Sequence, residues 1–385
     1  MKRKEILTVC CANMPFAKEA FETIGDTLVI DGRKITSEHV RRANLMAIRS
    51  TTKISEALLS GSSVKFVGTA TIGTDHMDIP YFDKAGIKWC FSPGCNANSV
   101  AEYIACALLS LANRDNLQLR GLTIGIIGVG NVGKLVAKKT KALGLNVLMN
   151  DPPREAKEAP GETIWTGIDE LLKKSDIITF HVPLEKNGKW PTYQMIDKAF
   201  LAKTKPGLLF INCARGGIMN TDAVLDAFSK KHISRMVIDT WEKEPAIRSD
   251  MLTLADIATP HIAGHSFEGK VNGTVMVYRE ACAFLGIKPE WSAEPLMPPP
   301  VIPIVDLDAK GLSLEKALWQ ICGKIYNIEA DSARFKAVSC DMSEHFDNLR
   351  RKYPMRREFR FTKVNLKNAS QELSAAVKSL EFDIT

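Results

Sequence analysis

The chain has 385 residues and a mass of 42.5 kDa, enough for two or three domains. It is 45% hydrophobic and 25% charged, which excludes a disordered chain, and 25 Gly with 18 Pro exclude a collagen-like or low-complexity one. The net charge of +7 falls short of a nucleic-acid binder and suits an anionic small-molecule substrate, and no apolar run reaches the ~18–20 residues of a membrane span.

Lys2-Arg3-Lys4 ahead of residues 6–12 imitates a signal peptide, but the apolar stretch is short. Asn13, Met14 and Pro15 interrupt it without a small-x-small cleavage site, so a first β-strand and a cytoplasmic enzyme are expected. Further strands are predicted at 27–30, 45–48, 65–69 and 87–90, with amphipathic stretches at 17–24 and 55–59 between them. Strand alternating with helix implies a parallel sheet covered on both faces.

A long, mostly apolar helix is predicted over 96–113, and a second α/β series follows Gly121. Its seven strands are predicted at 123–127, 146–149, 163–165, 177–180, 208–212, 236–238 and 257–258. Several are continuous apolar runs, as in strands buried on both faces. A helix over 267–285 is expected to return to the first domain. A proline-rich linker at 295–303 precedes a tail with helices at 313–326 and 343–352, an alternating stretch at 357–364 and a last helix from 369. The domains expected are 1–95 with 262–290, then 96–261, then a small α+β domain at 291–385. The nine cysteines are scattered without a CxxC, which argues against a disulfide framework and against a metal site.

The run Gly128-Val129-Gly130-Asn131-Val132-Gly133 stands between a buried strand and a helix, and Asp151 follows Gly133 by eighteen positions. That is the context of a dinucleotide-binding turn: Gly128 makes the turn, Gly130 admits a pyrophosphate, and Gly133 lets helix pack on strand. Asp151 would bond the ribose hydroxyls and repel a 2′-phosphate, which favours NAD over NADP. Arg154 argues weakly the other way, and Pro152-Pro153 are expected to turn it elsewhere.

Three polar residues follow strands of the same series: Arg215 in NCARGG, Glu244 in DTWEKEP and His261 in TPHIAGH. Taken singly, Arg215 could be a surface cation, Glu244 a loop residue and His261 a satisfied core histidine. As a set they suit the oxidation of a 2-hydroxy acid. Imidazole accepts the hydroxyl proton, a carboxylate orients it, and a guanidinium clamps the substrate carboxylate and C2 oxygen.

On these residues, in this order, the chain resembles the D-isomer-specific 2-hydroxyacid dehydrogenases. The resemblance implies a flavodoxin-like substrate domain, an inserted Rossmann NAD domain, the trio Arg215, Glu244 and His261, and Asp239 on the nicotinamide side of NAD. Val182, Cys213, Ala214 and Gly264 join Gly128, Gly130, Asn131, Val132, Gly133 and Asp151 in the expected cofactor shell; packing is the alternative for Cys213. NMPFA, RSTTKI, KFVGTATIGTDHMD, PGCNANSVAEY, NDPPR, HIAGHSFEGK and the tail's EHFDNLRRKYPMRREF narrow the likeness to one subfamily. That subfamily acts on a phosphorylated 2-hydroxy acid and carries an extra C-terminal dimerisation domain, which implies a homodimer.

By this likeness Ser50, Thr71 and Gly73 touch substrate. His265 stands where the subfamily carries a Tyr near the substrate, and Cys11-Ala12 replace an acidic pair before Asn-Met-Pro. Arg49, or the tail's Arg350-Arg351-Lys352 and Arg356-Arg357 reaching a neighbouring subunit, would take the phosphate. Neither nucleic acid nor membrane is an expected partner. The rival readings are a dehydrogenase for 3-phosphoglycerate or for glyoxylate and hydroxypyruvate, and an NAD-sensing binding protein.

Overall fold

The computed structural model describes residues 5–159 and 161–385, so Lys2-Arg3-Lys4 lie outside the described residues. Residues up to Asn96 together with Ser266–Pro299 form one compact unit. Ala97–His265 together with Pro300–Thr385 form a second.

The first unit is built on five parallel strands: β1 Leu7–Cys11, β2 Asp26–Ile30, β3 Leu45–Ile48, β4 Phe66–Thr69 and β5 Lys88–Cys90. Their order, β2-β1-β3-β4-β5, is that of a flavodoxin-like sheet. β1, β3 and β4 are apolar at nearly every position because both faces are covered. The helix Phe267–Leu285 covers one face, burying Val277, Tyr278, Ala281 and Cys282 against Ile6, Cys10, Phe21 and Phe66.

The second unit carries six parallel strands: β6 Thr123–Ile127, β7 Asn146–Asn150, β8 Ile177–Phe180, β9 Leu208–Asn212, β10 Ile233–Ile238 and β11 Ile257–Ala258. Their order is β11-β10-β9-β8-β6-β7, a doubly wound sheet with its switch between β6 and β8. The strand predicted at 163–165 does not form. That segment reaches β7 through one backbone hydrogen bond, Thr166 N to Met149 O, and Ile164 is 86% exposed, so the edge position lacks both ladder and burial.

The helix Ala97–Asp115 is buried on every side from Val100 to Ala112. An all-apolar helix needs neighbours all round. It packs against the helix Asn131–Ala142 on one side and the tail helix Leu314–Ile325 on another. The tail has its own parallel sheet: β12 Ile304–Asp308, β13 Lys363–Lys367 and β14 Asp383–Ile384. It is nevertheless no body apart. Leu318, Ile321, Phe359, Val364 and Val377 share one apolar core with Ile104, Leu108, Leu111 and Val136. The alternating stretch at 357–364 is not a strand over most of its length: Arg356, Arg357, Glu358 and Phe359 are all buried, which a period of two forbids, and β13 begins only at Lys363.

Polar bonds cross this seam. Glu102 accepts from Asn98 Nδ2 and from Phe359 N, each at 3.0 Å, and the buried Lys139 Nζ donates to Leu380 O and Glu381 Oε2 at 3.2 and 3.1 Å. Burial pushes the Glu102 carboxyl up to about 8, against the pull of Lys139 4.0 Å away. The unfolded value is about 4.3. The folded protein therefore holds this proton more tightly, and the stability it contributes at low pH is lost as pH rises through about 8. Between pH 6 and pH 9 the melting temperature of Glu102→Gln should fall by less than that of the wild type. Equal falls in thermal scans would remove Glu102 from this role.

Candidate active site

In the second unit, the residues singled out from the sequence follow the carboxyl ends of parallel strands: Gly128 after β6, Asp151 after β7, Val182 after β8, Cys213 to Arg215 after β9, Asp239 after β10 and His261 after β11. That is where doubly wound sheets bind ligands.

At the glycine turn, Gly128 has φ +88°, and a Cβ on Gly133 would lie 2.1 Å from Gly128 O. Helix and turn can approach this closely only at a residue without a side chain. Nothing lies within 4 Å of a Cβ built on Gly130, and Gly130 and Asn131 are exposed at the N-terminus of the helix Asn131–Ala142, with Val132 half-buried behind them. An open turn feeding twelve helical residues fits a pyrophosphate, as the sequence motif requires. Val182 packs against Gly128. Asp151 accepts from Val129 N at 2.8 Å and from Arg154 N at 3.1 Å, so it braces the turn. Arg154 is not turned elsewhere. Its guanidinium donates to Val129 O and Glu158 and lies 5.3 Å from the Trp165 ring, because Asp151 caps the short helix Pro152–Glu155 and wraps it back on the turn. Glu158 neutralises it there.

Glu244 and His261 meet, with His261 Nδ1 2.5 Å from Glu244 Oε1. Glu244 Oε2 accepts from Trp241 N at 3.1 Å. Burial pushes the Glu244 carboxyl up, but the His261 charge, the bonds from His261 and Trp241 N, and the charge of Arg350 together hold it below the usual range. It is a carboxylate at neutral pH, able to fix the tautomer of His261.

His261 sits at φ +56°, a conformation a non-glycine residue adopts only when its surroundings impose it. They do so through Asp239. His261 N donates to Asp239 O at 2.8 Å. The Asp239 carboxylate accepts from Thr259 Oγ1, Ile262 N and Ala263 N at 2.6, 2.7 and 3.0 Å. Asp239 is 1% exposed, so its carboxylate is turned into the protein and onto the catalytic loop rather than outward. Burial pushes its carboxyl up, opposed by His261 and by these donors.

Arg215 is half-buried on the neighbouring strand end, and its Nη1 donates to Ala214 O at 2.9 Å. Asn212 braces its turn, accepting from Ala214 N and donating to Arg215 O. A Cβ on Gly216 would lie 1.8 Å from Trp241 O, so the Arg215 turn is pressed against the turn that holds Glu244. Burial pushes the Cys213 thiol well above the thiol range, leaving it neutral beside Arg215. Gly264 and His265 end the loop half-buried, and the His265 ring lies 5.9 Å from that of Tyr353 in the tail.

In the first unit, Arg49 and Ser50 follow β3, and Thr71 and Gly73 follow the neighbouring β4. Thr71 Oγ1 donates to Gly73 O at 2.9 Å and lies 2.8 Å from Thr69 Oγ1, which fixes that turn. Ser50 is exposed and Arg49 half-buried. Cys11, in place of an acidic residue, is buried with its Sγ 3.6 Å from Thr51 Oγ1.

The tail arginines divide. Arg350 stacks on Phe346, and its charge is felt at Glu244 of the same chain. Its Nε is buried without a hydrogen-bond partner among the described residues. Arg356 and Arg357 are 6% and 4% exposed and stack on Tyr326 and Phe361, so they are not available to a phosphate. Sequence reasoning missed Trp241 and Thr259, and it gave Arg356 to a phosphate rather than to the Ala263 carbonyl. Trp241 stands inside the DTWEKEP motif, whereas nothing in the chain order signals that Arg356 touches Ala263. Gly133→Ala should lower the melting temperature by several degrees, and Gly130→Ala should leave it unchanged. The reverse order in thermal scans would contradict the packing described here.

Residues 109–263 match the family model of the D-isomer specific 2-hydroxyacid dehydrogenase NAD binding domain, and residues 296–380 match a domain of unknown function, DUF3410. A protein of Klebsiella pneumoniae named erythronate-4-phosphate dehydrogenase is 38% identical over 96% of each chain. One of the same name from Salmonella paratyphi A is 40% identical over 90% of each. Among solved structures, a D-lactate dehydrogenase of Aquifex aeolicus, complexed with NAD and lactic acid, superposes with a TM-score of 0.57 at 26% identity. It covers 72% of this chain and 95% of its own. The chain belongs to the erythronate-4-phosphate dehydrogenase family of the D-isomer-specific 2-hydroxyacid dehydrogenases and is an NAD-dependent oxidoreductase.

Proposed function

We propose that this chain oxidises C2 of 4-phospho-D-erythronate to 2-oxo-3-hydroxy-4-phosphobutanoate, a step of pyridoxal 5′-phosphate (vitamin B6) biosynthesis. The observation that carries the chemistry is the 2.5 Å bond between His261 and Glu244 at the end of a dinucleotide-type sheet. The substrate rests on the likeness to relatives of that name over 90–96% of the chain, tail included.

NAD, when bound, supplies the hydride acceptor. Gly128, Gly130, Asn131, Val132 and Gly133 would hold its phosphates through backbone amides, Asp151 would take the ribose, and Val182, Cys213, Ala214 and Gly264 would line the rest of its site. His261 Nε2 accepts the proton of the C2 hydroxyl. Glu244, ionised and on Nδ1, stabilises the imidazolium that results. Arg215 clamps the substrate carboxylate and the C2 oxygen as it becomes a carbonyl. Ser50, Thr71 and Gly73 are assigned to substrate, with His265 as a hydrogen-bond donor in the place of a tyrosine.

The substrate is anionic at both ends, and one guanidinium cannot balance both. Arg49, or the tail run Arg350-Arg351-Lys352, is assigned to the phosphate. The protein is read as a cytoplasmic homodimer joined through its tail. No described helix is long and apolar enough to cross a membrane.

Absorbance of NADH should rise on mixing the protein with NAD and 4-phosphoerythronate, and much less with 3-phosphoglycerate. A preference for 3-phosphoglycerate or glycerate would reassign the substrate, and no turnover of any 2-hydroxy acid would make the chain an NAD-sensing binder. His261→Asn should lower kcat by about 10²–10⁴-fold. Arg350→Ala with Arg351→Ala should raise KM for the phosphorylated substrate far more than for its unphosphorylated analogue. Equal effects would free the tail of this role.

A further inference from the structure

The tail touches the catalytic loop from beneath at several points within the second unit. Ala258 N, at the end of β11, donates to Ser332 Oγ at 3.0 Å. The ring of Phe335 packs edge-on against Trp241 at 5.7 Å, and Trp241 holds both Glu244, through its amide, and Thr259 O, through its indole, at 2.8 Å. Tyr353 lies against His265, and its hydroxyl donates to Asp331 Oδ2 at 2.7 Å.

The deepest of these contacts is made by Arg356. Its Nη2 donates to Ala263 O and reaches Ser99 O at 3.4 Å. The guanidinium lies 4.2 Å from the centre of the Tyr326 ring. No carboxylate stands within ion-pair distance of it among the described residues, although the side chain is only 6% exposed. Burying a cation is costly, and here carbonyls, a ring face and the more distant charges of Glu102 and Asp331 offset that cost.

Ala263 is thereby gripped from two sides. Its N–H goes to the buried anion of Asp239 and its C=O to the buried cation of Arg356. His261 stands two residues earlier, in a backbone conformation it would not hold alone.

We propose that Arg356 is a positioning residue for the acid–base pair, acting from inside the tail through the Ala263 carbonyl on the loop that carries His261. The tail is then part of the catalytic scaffold, whatever else it does. This rests on the reading of His261 as the proton acceptor.

The test uses the full-length protein with Arg356→Met, which keeps length and loses the donors, and with Arg356→Lys, which keeps one. Four quantities are read: thermal stability, kcat, KM for NAD, and the low-field proton resonance of the His261–Glu244 bond, assigned by its loss in Glu244→Gln. R356M should fold, lower kcat by about 10–100-fold with little change in KM for NAD, and weaken or shift the resonance. R356K should lie between R356M and the wild type in both. If R356M fails to fold, R356K decides: lowered kcat with an altered resonance supports the proposal. A folded variant with wild-type kcat and resonance overturns it. Because the resonance needs no substrate, a wild type that turns over no hydroxy acid would count against the proposed reaction alone. An altered or unaltered resonance in the Arg356 variants would still uphold or overturn the positioning role.

Discussion

The carboxylate of Asp239 organises the site. It is buried at the end of β10, and it gathers Thr259 Oγ1, Ile262 N and Ala263 N while the residue's own carbonyl takes His261 N. Hydrogen bonds to a charged acceptor contribute about 1.5–3 kcal/mol each, and more is lost if a buried partner is left unmet. Such a set is large enough to hold His261 at φ +56°. From there Nδ1 faces Glu244. The carboxylate that meets the His261 ring and the carboxylate that places its loop are thus different residues.

Around that anchor the turns of three adjacent strands lock together. Gly216 lies against Trp241 O, Trp241 N bonds Glu244, and the Trp241 indole bonds Thr259 O. These contacts set backbone on backbone at Gly216, or run through the Glu244 carboxylate and the Trp241 indole, whose residue is 2% exposed. Parallel strands make this possible: every one delivers its carboxyl end to the same edge of the sheet.

The tail enters the same fabric. Its helices cover the mostly apolar helix Ala97–Asp115, and its buried Phe335 and Phe346 join the core that surrounds Trp241. Solvent is kept from the underside of the catalytic loop by residues more than sixty positions later in the chain.

Much of this is legible in the chain for definite reasons. Continuous apolar runs such as LLFIN and the strand–GVGNVG–helix succession are local patterns, and local patterns set secondary structure and the phosphate turn. The segment at 163–165 misleads because β-propensity without a partner edge makes no strand, and 357–364 misleads because alternation of Arg and Phe says nothing about which of them is buried. The sequence by itself determined most strands of the two parallel sheets, the glycine turn and the place of Arg215 and His261 just after strands, since each depends on neighbours a few residues away. Only the tertiary structure decided that Asp239 turns inward, that Arg154 folds back on the turn, and that Arg356 is buried against the Ala263 carbonyl. Those outcomes depend on which distant groups share a buried volume, and desolvation there, not residue type, sets which charges must be paired.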